Sequence, residues 1–375
     1  MSGFRYVVHG AGRQGTAAIH DLVRNCAAGE VLAVEPDPAR AKLAEDRLGK
    51  LLGPRRKRLR FAASATVRDL ARADVVLSCA PYAANLGLTK LALEARVAFC
   101  DLGGNPQVVA KQEKLAARAR TAVVPDCGVS PGLSNIFAVH CARAHGADEV
   151  HVRCGGLPAS PPDPKKNPLQ YKLVFSPMGL ISEYSGRVPV IRGGRASSVE
   201  ALSTIEPFDA EHEASPTSNN SPQVIAYLRE IGVREYDYAT VRYRGHFEKV
   251  RRWQKRGHLR GNARKDAELA RRLDADPVLR YDPKKDRDKL ILSVRGTRSG
   301  RGIRRGFEYR LDVVADARTK FTAMELTTCW GITIVAHHIA SGRGAPRGFA
   351  TPERFVDTEW VIGEVERRLR QLAAS

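Results

Sequence analysis

The chain has 375 residues, 43% of them hydrophobic and 27% charged, an ordinary globular balance spread over more length than one core usually takes, which excludes a disordered or fibrous chain. No apolar run approaches the roughly 18 residues of a membrane helix, and the Met1-Ser-Gly-Phe-Arg5 opening does not read as a secretory signal, so a cytoplasmic protein without a membrane partner is expected. The net charge of +20 invites a nucleic-acid reading, yet the excess gathers in Pro54-Arg-Arg-Lys-Arg-Leu-Arg60 and in residues 249–289, neither of which has aromatic interleaving or a helix-turn-helix pattern. Solvated basic faces with weak polyanion binding are expected there, and no specific nucleic-acid partner.

Phe4–His9 reads as a short apolar strand, followed by Gly10-Ala-Gly12-Arg13-Gln14-Gly15 and then by residues 16–25 with helical spacing of Ala17, Ile19, Leu22 and Val23. In that context the glycines have separate roles. Gly10 allows the tight turn, Gly12 the close approach of a pyrophosphate, and Gly15 the contact of helix with strand. Arg13 and Gln14 open the helix amino terminus, whose free N–H groups suit phosphate oxygens.

A second strand over residues 31–34 ends at Glu35, twenty residues past Gly15. An acid at that spacing accepts hydrogen bonds from ribose hydroxyls and repels a 2′-phosphate, so NAD is expected, with NADP possible because Arg40 lies near; a surface turn acid is the other reading of Glu35. Strands over residues 58–62, 75–79, 97–101 and 122–125 alternate with helices over 66–73, 86–95 and 106–118, the pattern of a doubly wound parallel α/β sheet. Ligands on such sheets bind beyond the carboxyl ends of the strands. The loops Ala80-Pro81-Tyr82, Asp101-Leu-Gly-Gly104 and Asp126-Cys-Gly-Val-Ser-Pro-Gly132 should therefore line one crevice on the nicotinamide side.

After Gly132 the pattern changes to one helix over 133–145 and alternating strands over 149–154, 240–244, 290–294 and 307–314, an α+β substrate and dimerisation domain with a mainly antiparallel sheet. Helices over 327–341 and 352–372 close the chain, with Thr351-Pro352 as cap and first turn of the last. The expected domains are residues 1–128, residues 129–342, and a terminal helical segment, 343–375, that packs back on the first. Seven scattered cysteines without CxxC spacing and ten histidines without HExxH read as reduced core residues and no metal site.

Three stretches go beyond fold: Asp126-Cys-Gly-Val-Ser-Pro-Gly-Leu-Ser-Asn-Ile-Phe137; Gly155-Gly-Leu-Pro158 with Asn167-Pro-Leu-Gln-Tyr-Lys-Leu-Val-Phe-Ser176; and Arg242-Tyr-Arg-Gly-His-Phe-Glu-Lys249. Together they resemble the saccharopine dehydrogenase-like family, with lysine 6-dehydrogenase as the branch that shares most of these runs. The resemblance implies an oxidoreductase of amino-acid metabolism acting at a carbon–nitrogen bond, with a nicotinamide dinucleotide and a homodimer or higher homo-oligomer. It implies NAD-dependent oxidative deamination of L-lysine at its terminal amine, giving a semialdehyde that cyclises to piperideine carboxylate. The alternative is NAD(P)H-dependent reductive condensation of the saccharopine or carboxynorspermidine type. Met178 stands where saccharopine-forming relatives carry an arginine that helps hold a dicarboxylate, which weighs against a glutamate-bearing substrate.

Only a neutral amine releases hydride, so the site needs a base. Asp126, at the end of the sixth strand, is the first candidate for ammonium binder or base; a carboxylate bonded to backbone N–H groups of the 128–132 turn is the other reading. Tyr171 and Tyr82 offer phenols, or are packed aromatics. Arg242 and Arg244 alternate with Tyr243 on a strand and suit a fork for an α-carboxylate, or sit on the surface. His246 is a proton holder or a structural hydrogen-bonding residue. Thr217 and Ser218 precede the helix over 222–231 and suit a substrate carboxylate, or belong to ordinary capping by Ser221.

Overall fold

The computed structural model describes residues 3–300 and 303–374, so Met1, Ser2 and Ser375 of the segments above lie outside the described residues. The chain divides into two units, Met1–Ile136 with Glu325–Ser375, and Phe137–Met324. These limits differ from 128/129 and 342/343. The helix Ala323–Ala340 groups with the first unit because its buried face is bonded there: Thr333 Oγ1 donates to Asp21 Oδ2 at 2.5 Å, and Tyr6 Oη meets His337 Nδ1 at 3.3 Å.

In the first unit, β1 (Phe4–His9), β2 (Ala28–Val34), β3 (Leu59–Ala62), β4 (Val75–Ser78), β5 (Ala98–Asp101) and β6 (Val123–Val124) form one parallel sheet in the order β3-β2-β1-β4-β5-β6. All four residues of β4 are buried, as a strand covered on both faces requires. Val7, Val34, Val76, Phe99 and Val123 join in one core, each worth about 1.5–3 kcal/mol by burial. The order reverses between β1 and β4, and the Gly10–Gly15 turn leaves β1 at that switch point.

The helix Pro38–Leu52 is absent from the sequence expectations. Asp37 caps it, its carboxylate accepting the N–H groups of Ala39 and Arg40 at 2.9 and 3.2 Å, and Ala44, Leu48 and Leu52 bury its one apolar face. The expected helix over 352–372 begins later. Pro352–Arg354 is a short 3₁₀ turn, and Asp357, accepting from Trp360 N–H at 3.1 Å, caps Thr358–Ala373. That last helix is tied into the first unit by the fully buried Arg368, 2.9 Å from Asp21.

The second unit holds β7 (Glu149–Pro158), β8 (Arg187–Arg192), β9 (Arg195–Glu200), β10 (Glu206–Pro207), β11 (His212–Pro216), β12 (Glu235–Tyr243), β13 (Asp288–Gly300) and β14 (Ile303–Val314). Their order is β10-β11-β12-β7-β13-β14, with β8 bridging β12 and β9; every pair is antiparallel except β12 with β7. The basic stretch forms two amphipathic helices, His246–Lys255 and Ala263–Ala275. Phe247, Val250, Leu269 and Leu273 are buried in a cluster with Tyr171 and Tyr184, while Arg252, Lys255, Arg264 and Arg271 face solvent. No helix among the described residues is long and apolar enough to cross a membrane, and none of their His, Cys, Asp or Glu side chains gather in threes as metal ligands do. All seven cysteines are free thiols.

Candidate functional site

The glycine turn is shaped by backbone contacts. Gly10 has φ +87°, and a Cβ there would meet Ala80 N at 2.9 Å. A Cβ on Gly15 would run into the carbonyl of Gly10. Beside Gly12 a Cβ would meet nothing within 4 Å, and the helix Arg13–Asn25 that Gly12 caps has no side-chain cap on its first N–H groups. Open space in front of uncapped N–H donors is what a pyrophosphate requires, so the residues fit a dinucleotide. Gln14 Oε1 is buried without a partner, whereas the half-exposed Arg13 side chain is held by Glu325 at 2.6 Å.

Glu35 is buried, its Oε2 accepting Ala11 N–H at 2.9 Å and its Oε1 accepting Asp37 N–H at 3.2 Å. Arg40 reaches Glu35 Oε1 at 3.5 Å and Asp37 at 3.4 Å from an exposed position. The Glu35 carboxylate therefore braces the glycine turn, and the nearby guanidinium is the solvent-exposed charge.

Farther along the same edge, Pro81 caps the helix Tyr82–Ala95, and Tyr82 is 44% exposed, its ring 4.0 Å from where a Cβ of Gly104 would lie. Beneath Ala80 and Pro81 runs a polar chain that pattern reading missed. Ser78 donates to Asn85 Oδ1 at 2.8 Å, Thr89 to Asn85 O at 2.7 Å, and Gln112 to both Thr89 Oγ1 at 2.9 Å and Asp101 Oδ2 at 2.6 Å. Asp101 also accepts from Gly103 N–H at 2.7 Å and from the Asp126 backbone N–H. Burial nevertheless pushes its carboxyl up to about 6.

Asp126 is 4% exposed, with φ +60°, and a Cβ on Gly103 would overlap its carboxylate, so glycine is required there. Among the described residues none donates a hydrogen bond to that carboxylate; the N–H groups of Leu133 and Ser134 go instead to Gly128 O and Val129 O. Burial pushes Asp126 well above the ordinary carboxylate range, and the negative charges of Asp101 and Glu353 push it further. Glu353, absent from the sequence candidates, is fully buried on the short turn after Thr351, and burial raises its carboxyl as well. Its position late in the chain, in a Thr-Pro-Glu capping pattern, gave no signal of chemistry.

In the second unit, Arg242, Tyr171 and His246 converge. The Arg242 guanidinium lies 5.0 Å over the Tyr171 ring; its Nε donates to Tyr184 Oη at 2.9 Å, its NH1 to Val241 O at 2.9 Å, and its NH2 to Glu183 at 3.2 Å. His246 Nδ1 faces Leu169 O at 2.8 Å and so carries the proton, which leaves Nε2 to accept from Tyr184 Oη at 2.9 Å. Burial, with the charge of Arg242, lowers the imidazole to about 3, so it is neutral. Burial also raises the phenol of Tyr171, whose buried Oη has no partner; this hydroxyl is a donor in waiting and not a base.

The expected fork of Arg242 with Arg244 is not formed. β12 ends at Tyr243, so Arg242 turns inward to Glu183 while Arg244 is exposed and donates to Asp209 O at 2.6 Å. Thr217 is bonded to Thr240 at 2.6 Å, and Thr240 to Glu183 at 2.6 Å, which joins Thr217 to the Arg242 cluster through hydroxyls. Ser218 donates to Ser185 O at 2.7 Å, and Ser221 caps the helix Pro222–Glu230.

Comparison with known proteins accords with this architecture. The saccharopine dehydrogenase NADP binding domain matches residues 6–125 and the saccharopine dehydrogenase C-terminal domain matches residues 128–370. Mitochondrial alpha-aminoadipic semialdehyde synthase of Mus musculus is 27% identical over 221 residues, covering 55% of this chain and 23% of that protein. The saccharopine dehydrogenase (NADP+, L-glutamate-forming) of Schizosaccharomyces pombe is 24% identical over 143 residues, covering 36% of this chain and 30% of that one. The matches thus span less than a third of the length of these relatives. The apo saccharopine dehydrogenase (L-Glu forming) of Saccharomyces cerevisiae superposes with a TM-score of 0.73 at 18% identity, covering 98% of both chains, which shows a shared fold. With two domain families matched in tandem over nearly its whole length, the chain belongs to the saccharopine dehydrogenase family.

Proposed function

We propose that the protein is a nicotinamide-dinucleotide oxidoreductase that acts on the carbon–nitrogen bond of an amino-acid substrate. The observation that carries this reading is the pairing, on one sheet edge of the first unit, of an uncapped glycine turn open at Gly12 with the buried carboxyl of Asp126, which accepts no hydrogen bond among the described residues. Gly10, Gly12 and Gly15 with the N–H groups of Arg13 and Gln14 would hold the pyrophosphate, Glu35 would brace the turn, and Ala80, Pro81 and Asp101 would border the nicotinamide. The dinucleotide, when bound, supplies the acceptor or donor of a hydride.

Asp126 takes the proton that an ammonium must lose before its carbon is oxidised, since a group whose proton affinity is raised toward the working pH is a better base. Asp101 and Gln112 fix the loop from which it acts. In the second unit the unpartnered Tyr171 hydroxyl is a hydrogen-bond donor, its ring packed against the Arg242 guanidinium that Glu183 neutralises and Tyr184 holds in place. Tyr82, exposed at the start of its helix, and His246, neutral and hydrogen-bonded at both ring nitrogens, serve packing and orientation.

The finer reaction we assign first is oxidative deamination of L-lysine: lysine, NAD+ and water give the semialdehyde, ammonium, NADH and a proton. Met178, 40% exposed in the first turn of the helix Pro177–Glu183, favours it where a dicarboxylate would need a cation. A second reading, reductive joining of an amine to an aldehyde or keto acid with loss of water, is favoured by the names of the relatives above. Ammonia release from L-lysine with NAD, against NADPH oxidation when L-glutamate and the semialdehyde are mixed, decides between them; neither signal would overturn the enzymatic reading. A homodimer belongs to the same proposal and is read from light scattering.

A further inference from the structure

The chemistry above leaves the basic stretch of the second unit without a role. It folds as a helical hairpin, His246–Lys255 and Ala263–Ala275, whose turn is pinned from within: Leu259 N–H donates to the buried Asp266 Oδ1 at 2.8 Å, and Arg260 Nε to Gln254 O at 3.1 Å. The apolar side chains of both helices are buried around Tyr171 and Tyr184. What remains outside is cationic. Lys255, Arg256 and Arg260 are exposed around the turn, and Arg264, Lys265, Arg271 and Arg272 are exposed on the second helix. Among the described residues the one ion pair of this hairpin is Arg252 with Glu248 at 3.0 Å, and the exposed Glu268, between Arg264 and Arg271 in sequence, closes none. Cations gathered on one rigid face repel one another, and an anion with several charges laid across them relieves that repulsion.

We propose that the outer face of this hairpin binds the phosphodiester backbone of a nucleic-acid duplex without reading its sequence. The inference is independent of the oxidoreductase activity. Arg264 and the pair Arg271 and Arg272 share one face of the second helix and lie about 10 to 12 Å apart along its axis at 1.5 Å per residue. That span covers about three phosphate steps of B-form DNA at 3.4 Å each along one strand. A duplex holds its charges at fixed spacing on a stiff rod, so a rigid row of guanidinium groups meets them with little reordering of either partner. Sequence goes unread because the hairpin exposes no aromatic ring for bases to stack on, and Trp253 is packed against the core. A membrane surface is the poorer occupant: helices that bind lipid turn an apolar face outward, and both of these turn theirs inward.

The test follows the fluorescence anisotropy of a labelled DNA duplex of about 20 base pairs as the intact protein is added, between about 0.05 and 0.2 M salt. Arg264→Gln, Arg271→Gln and Arg272→Gln together alter exposed side chains and spare the fold. This triple variant should weaken binding at least about 30-fold at the lower salt and reduce the slope of log affinity against log salt by about 3, or about 1 for each lost phosphate contact. A control takes the same charge from the exposed run of the first unit, Arg55→Gln with Arg56→Gln and Lys57→Gln, and should change affinity by less than about threefold, because charges beyond a Debye length of the contact are screened. Equal losses in the two triple variants would show a response to net charge alone and overturn the assignment. So would anionic vesicles or polyglutamate bound as tightly as the duplex, a strong preference for one duplex sequence over a scrambled one, or no binding at the lowest salt.

Discussion

Two buried sites, one in each unit, treat their charges in opposite ways. In the second, Arg242 and Glu183 neutralise each other, and a chain of hydrogen bonds runs from Arg242 through Tyr184 and His246 to the Leu169 carbonyl. In the first, Asp101, Asp126 and Glu353 are buried together with no cation among the charges that act on Asp126. A closed network is a scaffold, since its charges are already satisfied and its protons have nowhere to go. An uncompensated cluster stores protons, and the response appears in its titration.

The sharpest way to break this contrast is to open the closed network. Arg242→Met leaves the Glu183 carboxylate buried and unpaired and should cost about 3–5 kcal/mol, seen as a melting temperature lower by roughly 10 °C. The double variant Arg242→Met with Glu183→Leu should recover most of that loss. A single variant as stable as the double would show that the pair is not what holds the second unit together.

The same operation on the open cluster should spare the fold and remove chemistry. Asp126→Asn should lower kcat at least about 100-fold, while NADH and NADPH affinities, read by fluorescence, stay within about twofold. A loss of stability like that of the Arg242 variant would erase the distinction.

A third measurement follows stability against pH. Asp101 is raised to about 6 in the folded chain from an ordinary 3.8, so its protonation stabilises the fold fully below about pH 4, and that stabilisation is lost as pH rises through 6. The amount is about 3 kcal/mol. Asp101→Asn should flatten this slope between pH 4 and 6, and a slope unchanged by the substitution would remove Asp101 from the cluster.

The smallest effect belongs to the exposed Arg40, whose ion pairs to Glu35 and Asp37 are screened by solvent and free to exchange partners. Arg40→Ala should weaken NADPH about tenfold, or 1.4 kcal/mol, and leave NADH unchanged. Equal weakening of both would mean that Arg40 serves the turn and not a 2′-phosphate.

Local pattern carried far in the first unit because a parallel sheet writes itself into short apolar runs at regular spacing, and because Gly10 and Gly15 are demanded by backbone geometry within six residues. It failed at Pro38–Leu52, where one narrow apolar stripe is diluted by exposed Lys, Arg and Glu, although Asp37-Pro38 was an available start signal. In the second unit it erred by one residue at the end of β12, and that was enough to place Arg244 on the wrong side of a proposed grip.

Sequence alone determined the order of the six strands of the first unit, the family, and the site of the glycine turn, since each depends on residues adjacent in the chain. Tertiary structure alone decided that Glu183 claims Arg242 and that Arg368 reaches the carboxylate of Asp21, 347 positions earlier. Burial and electrostatic fields depend on distance in space, and no local pattern encodes which remote carboxyl the chain will bring to a given spot.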